Sequence, residues 1–172
     1  MKSEKDARIP ETAKSGKDCL RKAGALLAQR DYTCMRLREK LLASGFEPEI
    51  VEETLESLRE ARYLDDRRFA YNYVQIHRKD RSRLRIRTDL ENRGVPDDVI
   101  GEVMREESEE HGIQAEIRQI LKLMRKRGFD PSSADWEERR KMQAYLYRKG
   151  YAASSVRSAM SADLLDSDGF SV

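Results

Sequence analysis

The sequence has no long apolar run. Its longest stretch free of Asp, Glu, Lys and Arg extends only from Phe69 to His77, against the roughly 18 apolar residues that a membrane-spanning helix requires. A transmembrane helix, and with it a membrane partner, is excluded on that ground. Cysteine is almost missing too: Cys19 and Cys34 cannot form the disulfide framework of a small secreted domain, so two reduced thiols are expected. The opening residues mix Lys2, Glu4, Lys5, Asp6, Arg8 and Glu11 with no apolar segment behind them, which is not the pattern of a secretory signal. Residues 1–16 are expected to be a disordered polar arm and 163–172 a flexible tail. Aromatic residues make up 7% of the chain, with nine Gly and four Pro, which favours neither a strand-rich sandwich nor a low-complexity polymer.

Catalytic signatures are also lacking. There is no Gly-rich phosphate loop, no His-Glu-x-x-His pair and no Gly-x-Ser-x-Gly elbow. His77 and His111 are the only histidines, and no Cys, Ser or carboxylate pattern around them makes a nucleophile or metal centre. The Asp65-Asp66 pair has no third ligand at helical spacing, so it reads as a helix cap, with Tyr63, Leu64 and Phe69 packing beside it. No catalytic residue, no cofactor and no metal site is expected, and the protein is not expected to be an enzyme.

What the chain does have is charge. Across 172 residues there are 34 Lys plus Arg against 32 Asp plus Glu, and the charged and hydrophobic fractions are both 38%. That hydrophobic share is near the low end for one compact core and points to an elongated or modular shape.

Apolar residues recur at three- and four-residue spacing, as in Leu37, Leu41 and Leu42, then Ile50, Val51, Thr54, Leu55 and Leu58, which is helix periodicity. Helices are expected near 17–29, 33–44, 47–61, 66–79, 82–93, 97–108, 113–127, 135–149 and 152–162, with breaks at Gly45, Gly94, Gly128 and Gly150. Three of these glycines align. Four residues before them stand Leu41, Leu90 and Leu146; eight before stand Leu37, Ile86 and Met142; directly after come Phe46, Val95 and Tyr151. Five, six, nine and ten residues beyond come Ile50, Val51, Thr54 and Leu55 in one copy, Val99, Ile100, Val103 and Met104 in the next, and Ser155, Val156, Ala159 and Met160 in the last. A glycine just past a helix end takes the left-handed conformation that stops it, and the apolar residue that follows packs back on the last turn.

The fold class is therefore all-α: three tandem three-helix, helix-turn-helix-like repeats in an elongated curved array. The repeats are placed at 17–64, 65–110 and 111–162, with a period of 49 and then 56 residues between aligned glycines. Gly128-Phe129 fails the register test, because Ser133, Ala134, Glu137 and Glu138 occupy the later positions, and 128–134 reads as an inserted loop. Ser155 and Ala159 replace bulkier residues in the last copy, so that end is expected to pack loosely.

Charge is uneven along the array. Arg78, Lys79, Arg81, Arg83, Arg85, Arg87 and Arg93 face three acids between residues 78 and 93, whereas 47–60 and 97–108 are strongly acidic. The middle helices of the outer repeats carry Arg36, Arg38 and Lys40, and Arg139, Arg140, Lys141, Arg148 and Lys149. Stacked in register, these would give one basic stripe and one acidic one. With Ile86 and Leu90 facing inward, Arg83 and Arg87 are expected to stand free for phosphates or an acidic protein surface. A helix-turn-helix reader is disfavoured, since its recognition helices would bring negative charge to a polyanion.

The segment Tyr63-Leu64-Asp65-Asp66-Arg67-Arg68-Phe69-Ala70, followed by Tyr73-Val74 and Leu90-x-x-Arg93-Gly94-Val95, resembles the second-repeat signature of the RecX family of bacterial recombination regulators. Leu146-Tyr147-Arg148-Lys149-Gly150-Tyr151 resembles the third-repeat turn of that family, and Arg30-Asp31-Tyr32 through Leu41-x-x-x-Gly45-Phe46 its first. The similarity runs over about residues 18–162. It implies a cytoplasmic, monomeric, non-enzymatic protein that lodges in the groove of the RecA–DNA filament, touches single- or double-stranded DNA through its backbone, and restrains ATP hydrolysis, filament growth and strand exchange. The fifteen basic residues named above are the expected filament and DNA contacts. Two other readings stay open on the residues alone: a nucleic-acid-binding helical module that works without RecA, and a helical-repeat scaffold for another protein.

Overall fold

The computed structural model describes residues 15–161, and the expected arm and tail lie almost wholly outside them. Ser15 and Gly16 correct the arm's boundary. Ser15 caps helix α1 (Gly16–Leu27) in a reciprocal capping box with Asp18, so these two residues are already structured. There follow α2 (Cys34–Ala43), α3 (Pro48–Glu60), α4 (Asp66–His77), α5 (Arg83–Glu91), α6 (Asp97–Lys126), α7 (Trp136–Arg148) and α8 (Ala153–Met160). Every regular element among the described residues is helical.

The chain divides into two compact units, one ending at Asp65 and the other beginning at Asp66. In the first, α1, α2 and α3 close on a core of Cys19, Ala23, Tyr32, Leu37, Leu41, Phe46, Val51, Leu55, Leu58 and Leu64. The second holds two cores, one for each of the two helical segments that α6 joins across a kink at Gly112. The first half of α6 supplies Ile100, Val103 and Met104 to a core with Ala70, Tyr73, Val74, Ile86, Leu90 and Val95. Its second half supplies Ile117, Ile120, Leu121 and Met124 to a core with Met142, Leu146, Tyr151, Val156, Ala159 and Met160.

Each turn rests on one backbone device. Gly45, Gly94 and Gly150 have φ of 80°, 73° and 84°. The N–H groups of Phe46, Val95 and Tyr151 donate to the carbonyls of Leu41, Leu90 and Leu146 at 3.4, 3.2 and 3.2 Å, while each glycine N–H donates one turn back. This is the Schellman arrangement, which satisfies two carbonyls at the helix end and folds the apolar residue inward. Gly128 makes the same pair of bonds, with Phe129 N–H donating to Met124 at 3.0 Å, but no helix follows in register.

The expected break between 108 and 113 is present: Gly112, at φ 59° and ψ −176°, is non-helical and divides α6 into two helical segments. Two expectations need correction. The last helix is not loosely packed: Ser155, Val156, Ala159 and Met160 are all buried, and the Ser155 hydroxyl donates to the buried Glu116 carboxylate at 2.5 Å. A polar pair thus fills the place that Ile50 and Val99 hold in the other copies. Tyr63 is mostly exposed, at 69%, while Leu64 is 3% exposed. Asp65 stands in the N-cap position of α4, as the helix begins at Asp66. His77 leans on Tyr73 with ring centroids 4.3 Å apart, and the side chain of His111 lies outside the described residues.

A Cβ at Gly150 would sit 2.9 Å from the Ser82 hydroxyl and 3.3 Å from Leu84, whereas one at Gly128 would meet nothing within 4 Å. Gly128→Ala is therefore expected to cost only the left-handed strain, about 1–2 kcal/mol. Gly150→Ala should cost at least roughly 1 kcal/mol more from overpacking. Chemical denaturation of the two variants measures the difference, and equal losses would remove the close approach as a constraint.

A candidate polyanion-binding groove

In the first two three-helix groups the acidic helix lies against the basic one, and arginines expected to stand free are paired with its carboxylates. Arg83 is the clearest case. Its Nη1 donates to Glu107 at 2.5 Å and its Nη2 to the Met104 carbonyl at 2.7 Å, and Glu107 is buried. Arg87 pairs with Glu91 at 2.9 Å and with Asp97. In the first unit, Arg38 donates twice to Glu52 at 2.6 and 2.7 Å, and Arg36 pairs with Glu39 at 2.8 Å. Lys40 lies exposed in the last turn of α2. The two residues expected to stand free, Arg83 and Arg87, are thus bound to their own chain.

A second set converges on a buried carboxylate. Asp89 accepts from Arg81 Nη1 at 2.5 Å and from the Tyr73 hydroxyl at 3.2 Å, and Arg85 Nε lies 3.2 Å away. Arg93 donates to the Asp89 carbonyl at 2.9 Å and stacks over Tyr73 at 4.6 Å. Burial pushes the Tyr73 phenol up and the His77 imidazole down, the latter helped by Arg81 and Arg93. Three cations around one carboxylate leave net positive charge, and Arg85 and part of Arg81 remain open to solvent.

That surplus faces a groove. About 780 Å³ is enclosed by Asp80, Arg81, Ser82, Arg85, Leu123, Arg127, Tyr145, Arg148, Lys149 and Tyr151. Five of these are cations and one is a carboxylate. The Ser82 hydroxyl donates to the Lys149 carbonyl at 2.7 Å, tying the start of α5 to the end of α7. Arg127 and Lys149 stand over the Tyr145 ring at 3.7 and 5.7 Å. A smaller hollow of about 390 Å³, bounded by the 128–134 segment, shares Arg127 and Tyr145 with the groove.

Of the expected contacts, folding gathers Arg81, Arg85, Arg148 and Lys149 here. The others lie elsewhere: Arg78 gives its carbonyl to Gln119, Lys79 is exposed, Arg139 donates to the Pro131 carbonyl, Arg140 stands over Trp136 and Lys141 pairs with Glu137 at 2.7 Å. The residue missed is Arg127, which belongs to no middle helix. The run Arg125-Lys126-Arg127 before Gly128 was its available signal, as a basic helix end.

Tandem three-helix groups with a cationic groove define an all-helical repeat protein, and no cluster of His, Cys, Asp or Glu among the described residues could hold a metal. Nor is any described helix long and apolar enough to cross a membrane. The chain matches three domain models: the first three-helix domain of RecX over residues 19–58, the second over 65–104 and the third over 114–160. It is 37% identical over 142 residues to the Regulatory protein RecX of Trichlorobacter lovleyi, spanning 81% of this chain and 92% of that protein. It is 34% identical to that of Halorhodospira halophila, spanning 80% and 83%. The crystal structure of RecX from Lactobacillus salivarius shares the fold, with a TM-score of 0.74 at 16% identity over 87% of this chain and 97% of that one. The chain belongs to the RecX family of regulatory proteins, and it is not an enzyme.

Two measurements follow from the groove. Arg127→Gln with Arg148→Gln is expected to lower polyanion affinity and reduce the logarithmic salt slope by about two, read by heparin or DNA binding across a salt series. An unchanged slope would place the polyanion elsewhere. The Tyr151 phenol is pushed up to about 12 from 10.0, by burial first and then by Glu116. Its neutral form favours the folded state, so this contribution is whole below the unfolded value near 10 and lost as pH rises toward 12. The melting temperature should fall through that window, and Tyr151→Phe should fall less.

Proposed function

We propose that this protein modulates a RecA recombinase by binding the RecA–DNA filament, with the groove formed by Arg81, Arg85, Arg127, Arg148 and Lys149 against the phosphate backbone. Membership of a family of regulatory proteins supports the regulatory part of this reading. The observation that carries the rest is the gathering of five cations from α5, α6 and α7, and from their flanking residues, around a groove with one lining carboxylate. A backbone contact of this kind is indifferent to sequence and falls steeply with salt. That is what a partner of a filament needs, since the filament coats DNA of any sequence.

In this reading the protein acts in the cytoplasm as a monomer and restrains ATP hydrolysis, filament extension and strand exchange. Exposed Lys40 and Lys79 add contacts from the first and second three-helix groups. Arg36, Arg38, Arg83 and Arg87 act mainly by holding their own helices together, since each is paired with a carboxylate of its own chain. Arg93, Arg139, Arg140 and Lys141 are secondary contacts at most, each already engaged within the fold, and the Nε of Arg78 is buried.

The test is the rate of ATP hydrolysis by RecA from the same bacterium on single-stranded DNA, titrated with this protein. Suppression at well below one copy per RecA is expected, and the Arg127→Gln, Arg148→Gln double variant should shift the titration to higher concentration with its helicity intact. Arg83→Gln should instead lower stability by roughly 2 kcal/mol, below the range for a fully buried pair because Arg83 stays partly exposed. An unchanged hydrolysis rate, with no cosedimentation on the filament, would overturn the proposal.

A further inference from the structure

The groove lies along one side of α7, and a different side of the same helix carries a feature that the groove does not use. Trp136 is 72% exposed and Tyr147 is 45% exposed. A separation of eleven residues at 100° each brings the two Cα positions to within about 20° of one another around the axis, roughly 16 Å apart along it. Arg140 falls between them on the same face, and its guanidinium stands over the Trp136 ring at 5.4 Å. Met142 and Leu146, which anchor α7 in its core, lie on another side. An indole left this open forgoes burial that is ordinarily worth about 2 kcal/mol or more, so the exposure is not explained by packing.

The face is aromatic, cationic, aromatic, on a segment where residues 136–149 hold Arg139, Arg140, Lys141, Arg148 and Lys149 against Glu137 and Glu138. Flat rings beside net positive charge are the complement of unstacked bases on a phosphate chain. A duplex keeps its base faces inside its own stack and offers them to no side chain, so the chemistry selects a single strand. We propose that Trp136, Arg140 and Tyr147 form a stacking face for the bases of single-stranded nucleic acid. The inference deepens the reading of the protein as a nucleic-acid-filament binder and rests on it: the groove takes phosphates of either form, and this face distinguishes the open strand.

The chain contains one tryptophan, so its emission reports this face directly. Oligothymidylate and a duplex of equal length are titrated into the full-length protein without RecA, following tryptophan emission together with the anisotropy of the labelled nucleic acid. The single strand should quench Trp136 in step with the anisotropy, and the duplex should bind with little quenching. Trp136→Ala should weaken single-strand affinity by roughly five- to a hundredfold with duplex affinity unchanged, while Trp136→Phe should restore most of it. Full single-strand binding without quenching, or an equal loss on both ligands, would overturn the stacking face and leave the groove standing. Quenching that survives Arg127→Gln with Arg148→Gln at undiminished affinity would do the reverse. Absence of binding to either ligand would overturn both.

Discussion

The structure depends on a residue in the left-handed region placed just beyond a helix, followed by an apolar side chain. A helix with no such stop would run on, and the next helix would begin in an unrelated register with its apolar stripe turned from the core. With it, the N–H of the following residue is committed to a carbonyl one and a half turns back, and the side chain of that residue is committed inward. Phe46, Val95 and Tyr151 each sit in a core for this reason. The backbone part of the device does not require glycine: Arg62, at φ 57°, ends α3 with the same bond, Tyr63 N–H donating to Leu58 at 2.9 Å, although the Tyr63 side chain is exposed. Nor is the device sufficient, as Gly128 shows. What makes a repeat is the stop together with apolar residues five to ten positions later.

Charge plays a different part. Core burial of a leucine is worth about 2–5 kcal/mol by truncation, while an exposed ion pair contributes about 1 kcal/mol or less. The pairs between basic and acidic helices therefore do not decide the fold. They decide how much positive charge is left for a partner. Carboxylates of α3 and α6 absorb Arg38, Arg83 and Arg87, and what survives gathers where helices end. Arg127 is the C-cap of α6, and Arg148 and Lys149 close α7. Cations at those ends are also favoured by the helix dipole, so the groove is a place where positive charge accumulates at little energetic cost.

The third three-helix group shows how a repeat tolerates substitution at a core position. Ser155 would be a defect if its hydroxyl were buried alone, since an unsatisfied polar group costs about 1–3 kcal/mol. Glu116, from the second half of α6, supplies the acceptor. The pair is self-consistent, and the helix that carries it stays fully packed.

The helix map, the repeat and the inward residues were readable from the chain, because all three follow from local spacing: a helix fixes which residues share a face, and a glycine followed by an apolar residue fixes where it stops. The family was readable for the same reason, as its signatures sit at those turns. The cationic groove was not. Whether Arg83 faces solvent or Glu107 depends on which helix packs beside α5, and Arg127 joins Arg81 and Arg148 only because the second half of α6 shares a core with α7 and α8. A helical wheel assigns each charge a direction but not a neighbour. The sequence by itself determined the helices and their stops through short-range geometry; only the tertiary structure decided which cations are neutralised and which remain, because that is a matter of contacts between residues far apart along the chain.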